Sequence, residues 1–250
     1  MMTSGVGHQG VRLRPSRQSL SVEARTAGFG KPASSVPKDL AMPKGTPTVK
    51  KLEWQSPLQV VKYPDPRLRV VNAKVAVFDE NLLALAREMI QIMYQDDGVG
   101  LAAPQVGVNI RLMVFNPVGR TEPGNETILV NPEIISISGP RLLMEEGCLS
   151  FPGLQADVER ARDLVVRGQN EKGEPITLTL GGEDDENIWI GRIFQHEYDH
   201  LQGILFHDRM KPVAVDTLRS ALVALEDGFV AAHPAAKIKR LEAPKAAKGV

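Results

Sequence analysis

Two histidines four residues apart with a glutamate beside the first, His196-Glu197-Tyr198-Asp199-His200, are the residues of this chain whose types and spacing point most directly to chemistry. On an α-helix, side chains at i and i+4 lie one above the other, so both imidazoles can reach a single cation while Glu197 points slightly aside. Hydrolytic metal sites of the zinc type use three protein ligands, keep a fourth position for water, and place a carboxylate nearby as general base. The motif therefore reads as part of a metal hydrolase, with one ligand still to be found.

A five-residue pattern with three fixed positions also arises by chance, so the third ligand decides. One zinc-peptidase pattern continues from the second histidine as x-x-Gly-x-x-His; Gly203 fits, but the last position is Phe206 and His207 comes one residue late. Another pattern takes a distant downstream glutamate. Glu226 is available, yet it falls on a charged helix surface that reads more simply as solvated. Upstream, Glu145-Glu146-Gly147-Cys148-Leu149-Ser150 holds the one cysteine of the chain. A lone cysteine forms no intramolecular disulfide, which fits a reducing compartment and leaves Cys148 as a ligand, a nucleophile or a buried apolar filler. Position alone favours the filler. As a thiolate it would be a strong ligand, and Gly147 would let the backbone come close. A third segment, Gly98-Val99-Gly100-Leu101-Ala102-Ala103-Pro104-Gln105, has Gly and Ala at alternate positions that keep it thin, as expected where backbone must pass near a ligand or metal, and ends in a polar amide. It lacks the strand-before, helix-after context of a nucleotide loop.

Together these segments resemble the peptide deformylase family, whose signature runs Gly-x-Gly-apolar-Ala-Ala-x-Gln, then Glu-Gly-Cys-apolar-Ser, then Gln-His-Glu-x-x-His. The resemblance spans Ser56 to Met210, and Val61-Lys62-Tyr63-Pro64-Asp65-Pro66, Val130-Asn131-Pro132 and Phe194-Gln195-His196 are similar to the plant plastid-type branch. It implies that Cys148, His196 and His200 bind one divalent ion, Fe2+ or Zn2+, and that Glu197 is the catalytic acid and base. It further implies oxyanion donors at the Gln105 amide and the Leu149 backbone N–H, and an internal supporting role for Glu146. The implied substrate is the N-formyl-methionyl end of a nascent polypeptide, with the organellar ribosome as partner. Its methionine would enter an apolar pocket of Ile193, Val99 and Met144, and its backbone would pair with Val99, Gly100 and Leu101 and with Gly153 and Leu154. Two features depart from the pattern. Tyr198 stands where many bacterial members carry an aliphatic residue or Met, and the acidic stretch Gly181 to Glu186 is longer than usual, which leaves the pocket rim near Trp189 undefined.

The elements that must position these residues can be read from periodicity. Asp79 can cap a helix whose Leu82, Leu83, Ala86, Met89, Ile90 and Met93 recur at helical spacing, with Gly98 as its stop. Strands are expected at Arg111 to Phe115, Thr127 to Val130, Ile134 to Ile137, Ala156 to Val166 and Pro175 to Leu180, the last two joined by a turn at Glu171 to Glu174. Ile188 to Leu201 forms the ligand helix and Val213 to Val230 a final helix, with a solvated tail after His233. The expected class is α+β, with mostly antiparallel sheets around a central metal-binding helix and an N-terminal and a C-terminal helix.

With 42% apolar residues the chain can bury a core, and its formal charge is zero. The first 50 residues hold eight Lys and Arg against Glu23 and Asp39, which leaves 22 basic and 28 acidic residues in the remainder, a net charge of −6. A mildly acidic body lacks the basic face of a nucleic-acid binder. No run of about 18 apolar residues occurs, so no membrane span is expected. Residues 1–50 lack hydrophobic periodicity, and Arg12, Arg14, Arg17 and Arg25 interleaved with Ser16, Ser19 and Ser21 form the acid-poor, hydroxyl-rich pattern of an organelle transit segment. The expected organisation is therefore a transit extension over 1–50, a catalytic domain over 51–233, and a flexible tail over 234–250. The chloroplast stroma is the expected location, with the mitochondrial matrix as alternative.

Overall fold

The computed structural model describes residues 36–242; residues 1–35, with most of the expected transit segment, and 243–250 lie outside them. The elements run β1 (Thr48–Val49), β2 (Lys74–Val75), α1 (Glu80–Gln95), β3 (Gly100–Ala102), β4 (Leu112–Phe115), β5 (Thr127–Cys148), β6 (Phe151–Gln169), β7 (Pro175–Leu180), α2 (Asp185–Leu201) and α3 (Pro212–Ala232). β1 and β2 make a small parallel pair. The other five strands form one sheet in the order β3-β4-β5-β6-β7, antiparallel throughout, so the α+β expectation holds.

Side chains of a strand alternate between faces, and here each face meets a different helix. Leu101, Leu112 and Val114 join Leu82, Leu85, Ala86, Met89 and Met93 of α1 in one core. Ala102, Met113 and Phe115 join Ile190, Ile193, Phe194, Tyr198 and Leu201 of α2 in another. α2 is thus clasped by the sheet, and every residue from Ile190 to Leu201 is buried. Among the described residues no helix is long and apolar enough to cross a membrane.

Asp79 Oδ1 accepts from Leu82 N at 3.0 Å and caps α1. At the other end Asp97, not Gly98, takes the left-handed conformation, with φ 55°. Gly98 sits in close packing: a Cβ there would fall 2.8 Å from Leu149 Cδ1 and 3.1 Å from Met93 O. The acidic stretch before α2 is its cap and first turn. Asp184 accepts from Glu186 N, and Asp185 and Glu186 lie at the positive end of the helix dipole, so α2 begins three residues earlier than apolar periodicity indicates.

β5 unites two expected strands and extends through Cys148. The breaks suggested by Asn131-Pro132 and Gly139-Pro140 are irregularities within one ladder, with register shifts between Val130 and Glu133 and between Ser138 and Arg141. Glu226 is not a solvated surface charge. It is 1% exposed and accepts from Tyr63 Oη at 2.5 Å and from Leu241 N at 2.7 Å. The start of the expected solvated tail consequently folds back, with Leu241 against the core that holds Leu218 and Leu225. At the other end of the chain, Val36 and Leu40 pack into the α2 core, and the carbonyls of Leu40 and Ala41 accept from Tyr198 Oη and Gln202 Nε2. Residues 36–41, within the expected extension, are therefore attached to the body.

Candidate active site

Cys148 closes β5 just before the turn into β6, and α2 runs beside it. The Cys148 sulfur and one ring nitrogen each of His196 and His200 lie within 4.8 Å of one another. Cys148 Sγ is 3.3 Å from His200 Nε2. Tetrahedral coordination with a metal–sulfur bond near 2.3 Å and a metal–nitrogen bond near 2.1 Å separates sulfur from nitrogen by about 3.5 Å. The donor spacing fits that requirement. His196 Nδ1 faces Glu146 Oε2 at 3.0 Å, which fixes the ring and leaves Nε2 for the site. Neither rival ligand takes part: Glu226 sits against Tyr63, and His207 Nε2 faces Arg69 Nη2 at 3.3 Å.

Burial opposes charge on both rings, but contact with Cys148 and Glu146 outweighs it at His196 and holds that ring well above the usual imidazole value. At His200 nothing offsets burial. Burial, His196 and Arg160 push it well below the usual value, so it presents a neutral ring. Glu197 is buried against Gly100, where a Cβ would fall 2.5 Å from Glu197 Oε1 and 2.9 Å from Ile193 Cγ2. Burial raises this carboxyl to about 7, and its Oε2 has no hydrogen-bond partner among the described residues. An unsatisfied buried carboxylate oxygen beside three converging metal donors is the arrangement expected where a polar reactant is to be handled.

Gln105 stands in the 3-10 turn Ala103–Val106 that follows β3. Its Oε1 accepts from Ala102 N at 2.8 Å, which turns Nε2 toward Cys148 Sγ (3.7 Å) and Ser150 Oγ (3.4 Å). Lys62 Nζ donates to the Leu149 carbonyl at 2.8 Å and ties down the turn that carries the Leu149 N–H. A cavity of about 620 Å³ opens here, walled by Val99, Gly100, Gly153, Leu154 and Ile193, with Gln105, Cys148, Leu149, His196 and Glu197 at its inner end.

Two expected substrate contacts do not wall the cavity. Leu101 is fully buried in the α1 core because β3 alternation sends it to the opposite face from Ala102. Met144 is 36% exposed, and its neighbour Glu145 lines the cavity instead. Gly147 is not needed for close approach, since a Cβ there would meet nothing nearer than Leu154 O at 3.7 Å. Trp189 does line the rim, its Nε1 donating to Pro117 O at 3.1 Å.

Sequence reasoning missed the two cations that hold Glu146. Arg160 Nε and Arg192 Nη1 each lie 2.6 Å from Glu146 Oε1, and all three side chains are at most 5% exposed. Burial raises the Glu146 carboxyl, but His196 and Arg160 more than offset this and keep it well below the usual carboxylate range.

The polypeptide deformylase family model matches residues 57–215. The protein named "Peptide deformylase 1B, chloroplastic" from Oryza sativa subsp. japonica is 45% identical over 202 residues, 81% of this chain and 72% of that protein. "Peptide deformylase 1B, chloroplastic/mitochondrial" from Arabidopsis thaliana is 45% identical over 178 residues, 71% of this chain and 63% of that protein. A crystal structure of a plant peptide deformylase superposes with a TM-score of 0.70 at 43% identity, covering 76% of this chain and 100% of that one.

Proposed function

The chain belongs to the peptide deformylase family, and from that premise we infer how its own residues carry out the family's reaction. It is a hydrolase that removes the formyl group from an N-terminal formyl-methionine, acting on formylated nascent peptides. In our reading Cys148, His196 and His200 hold one divalent ion, and Glu197, Gln105 and Leu149 handle the reacting atoms. A thiolate with two imidazoles suits Fe2+ or Zn2+. Bound there, such an ion supplies the Lewis acidity that acidifies water and polarises a carbonyl oxygen.

Glu197 takes the proton of the attacking water as its oxygen adds to the formyl carbon. The carbonyl oxygen then gains negative charge, and Gln105 Nε2 and the Leu149 N–H donate to it. When the C–N bond breaks, Glu197 returns the proton to the leaving nitrogen, and formate and a free amino terminus result. Val99, Gly100, Gly153 and Leu154 flank the substrate backbone, and Ile193 with Val99 meets the methionine side chain. Leu101 would contribute through its backbone alone.

The relatives named chloroplastic support a plastid location. We place the enzyme in the stroma, with the mitochondrial matrix as alternative, and its formylated substrates on the organellar ribosome. A targeting segment ahead of the attached residues 36–50, a catalytic body over 51–233 and a tail complete this organisation.

The observation that carries the reading is the convergence of three metal donors within 4.8 Å beside a carboxylate with an unsatisfied oxygen. Formate release from formyl-Met-Ala, measured with metal content in wild type, Glu197→Ala and Cys148→Ala, tests it. Glu197→Ala should keep metal and lose turnover, and Cys148→Ala should lose both. Full activity in Cys148→Ala, or metal bound by wild type without formate release, would contradict it.

A further inference from the structure

The ion pairs that begin at His196 continue out of the site in strict alternation of charge. Glu146 is held by Arg160, and Arg160 Nη1 donates to Asp199 Oδ2 at 2.8 Å. Asp199, next to His200 on α2, is gripped from its other side by Arg209, with Nη2 to Oδ1 at 2.6 Å and Nε to Oδ2 at 3.0 Å. Arg209 Nη1 in turn donates to Asp39 Oδ2 at 2.8 Å. Side-chain exposure climbs along this path, from 5% at Asp199 to 22% at Arg209 and 50% at Asp39. The chain of charges thus runs from a site histidine to the surface, and its outer end lies on the N-terminal segment.

Tyr198 meets the same segment. Its ring is fully buried, stacked on Phe194 at 5.4 Å with the Arg111 guanidinium 5.3 Å from its centroid. Its hydroxyl donates to Leu40 O at 3.1 Å, and Gln202 Nε2, one turn on, donates to Ala41 O at 2.8 Å. An aliphatic residue or Met at position 198 would fill the core but offer no donor. Leu40 and Ala41 therefore bond Tyr198 and Gln202 at the end of α2, Asp39 reaches α2 through Arg209, and Val36 and Leu40 add apolar contact.

We propose that residues 36–41 are a positioning strap for the helix that carries His196 and His200, docked by Tyr198 and linked through Asp39, Arg209, Asp199, Arg160 and Glu146 to His196, so that N-terminal processing cuts ahead of Val36. The proposal rests on the reading of Cys148, His196 and His200 as ligands. Two of these stand on α2 and the third on β5, so the grip on a metal depends on how firmly α2 is held against that strand. Arg160 of β6 ties Glu146 of β5 to Asp199 of α2. The strap fixes the far side of that tie.

The test uses the full chain: wild type, Asp39→Asn, Asp39→Glu, Tyr198→Phe, and the Asp39→Asn/Tyr198→Phe double variant. The rate at which a chelator strips metal, the absorption spectrum of the Co(II)-loaded protein and the melting temperature are recorded for each. The double variant should release metal roughly 3- to 10-fold faster than wild type, below the range for a direct partner of a ligand because its sites are more remote. Its Co(II) bands should shift, and Asp39→Glu should behave as wild type. A double variant with wild-type release rate and spectrum overturns the proposal, even if its melting temperature falls. A wild-type protein that binds no Co(II) would defeat the metal-site reading and the strap with it. The mass of the mature protein from plastids should correspond to a start at or before Val36, and a metal-loaded active form starting after Asp39 overturns the proposal as well.

Discussion

Glu146 Oε2 lies 3.0 Å from His196 Nδ1 while Arg160 and Arg192 close on the same carboxylate, so the ring that faces Cys148 is oriented by an anion held in place by two buried cations. A carboxylate behind a metal-ligating imidazole fixes its tautomer and raises its basicity. Changing Glu146 to Gln keeps the shape but leaves Arg192 without its counter-charge and Arg160 with Asp199 alone. Breaking a buried pair in this way costs about 3 kcal/mol or more. Glu146→Gln is therefore expected to lower the urea midpoint and to weaken metal binding roughly 10- to 100-fold. A competition titration against a metal indicator measures the second effect, and unchanged affinity would show that Glu146 does not orient the ring.

Gly100 sets the position of Glu197. Its backbone does not demand glycine, but a methyl group there would lie 2.5 Å from Glu197 Oε1 and 2.9 Å from Ile193 Cγ2, and one of the two must move. Displacing a reacting group by about 1 Å can cost up to roughly 100-fold in rate. Gly100→Ala should lower kcat for formate release by at least about 10-fold while metal content stays at wild-type level, because no ligand is touched. Wild-type kcat would mean that Glu197 tolerates the shift and is not held to a narrow geometry.

The residues around these contacts differ in how much the sequence discloses. His196 and His200 are legible because a one-turn spacing has a single geometric meaning, and α1 is legible because its apolar residues recur on one face. Arg160 is hidden by its type, since an arginine in a strand suggests a solvent-facing position. The signal was nevertheless present. Ala156, Val158 and Arg160 alternate onto one buried face, and a cation at an inward position requires an anion there. Glu226 follows the same rule at helical spacing, four residues after the fully buried Leu222. β5 was obscured for a different reason. Pro and Gly punctuate its sequence, and nothing local distinguishes an irregularity within a strand from the end of one.

His207 gives the fold a calculable response to acid. It packs against the stacked rings of Tyr63 and Phe151, at centroid distances of 4.8 and 5.5 Å. Burial lowers its pKa; Asp208 and Glu226 pull it upward, Arg69 and Lys239 downward, and the net shift is down. In the unfolded chain an imidazole titrates near about 6.5. Above that pH both states hold a neutral ring and the full stability is present. As pH falls below it the unfolded state takes up a proton first, so stability is lost until the lower folded-state value is passed. Urea midpoints of wild type and His207→Gln, compared at pH 7.5 and 5.5, should differ by less at the lower pH if the glutamine variant is the less stable at pH 7.5. Parallel pH profiles would exclude His207 as the source.

If the methionine side chain enters the cavity as proposed, its wall sets the choice of the first residue. Ile193 and Val99 present apolar surface, while Glu197 and Glu146 at the inner end and Glu145 at the mouth are carboxylates. Burying a methionine-sized side chain stabilises a complex by about 2 kcal/mol, roughly a 30-fold gain in kcat/KM over a side chain left in water. Norleucine has the same length and an apolar methylene in place of sulfur, so formyl-norleucyl peptides should react nearly as fast as formyl-methionyl ones. Aspartate would have to give up hydration and enter beside like charges, for which the wall offers no cation that is not already paired with Glu146. Formyl-aspartyl peptides should then be essentially inert, and Ile193→Ala should lower kcat/KM for formyl-Met-Ala while sparing metal content. Equal rates for the norleucyl and aspartyl peptides would mean that the first side chain lies outside this cavity.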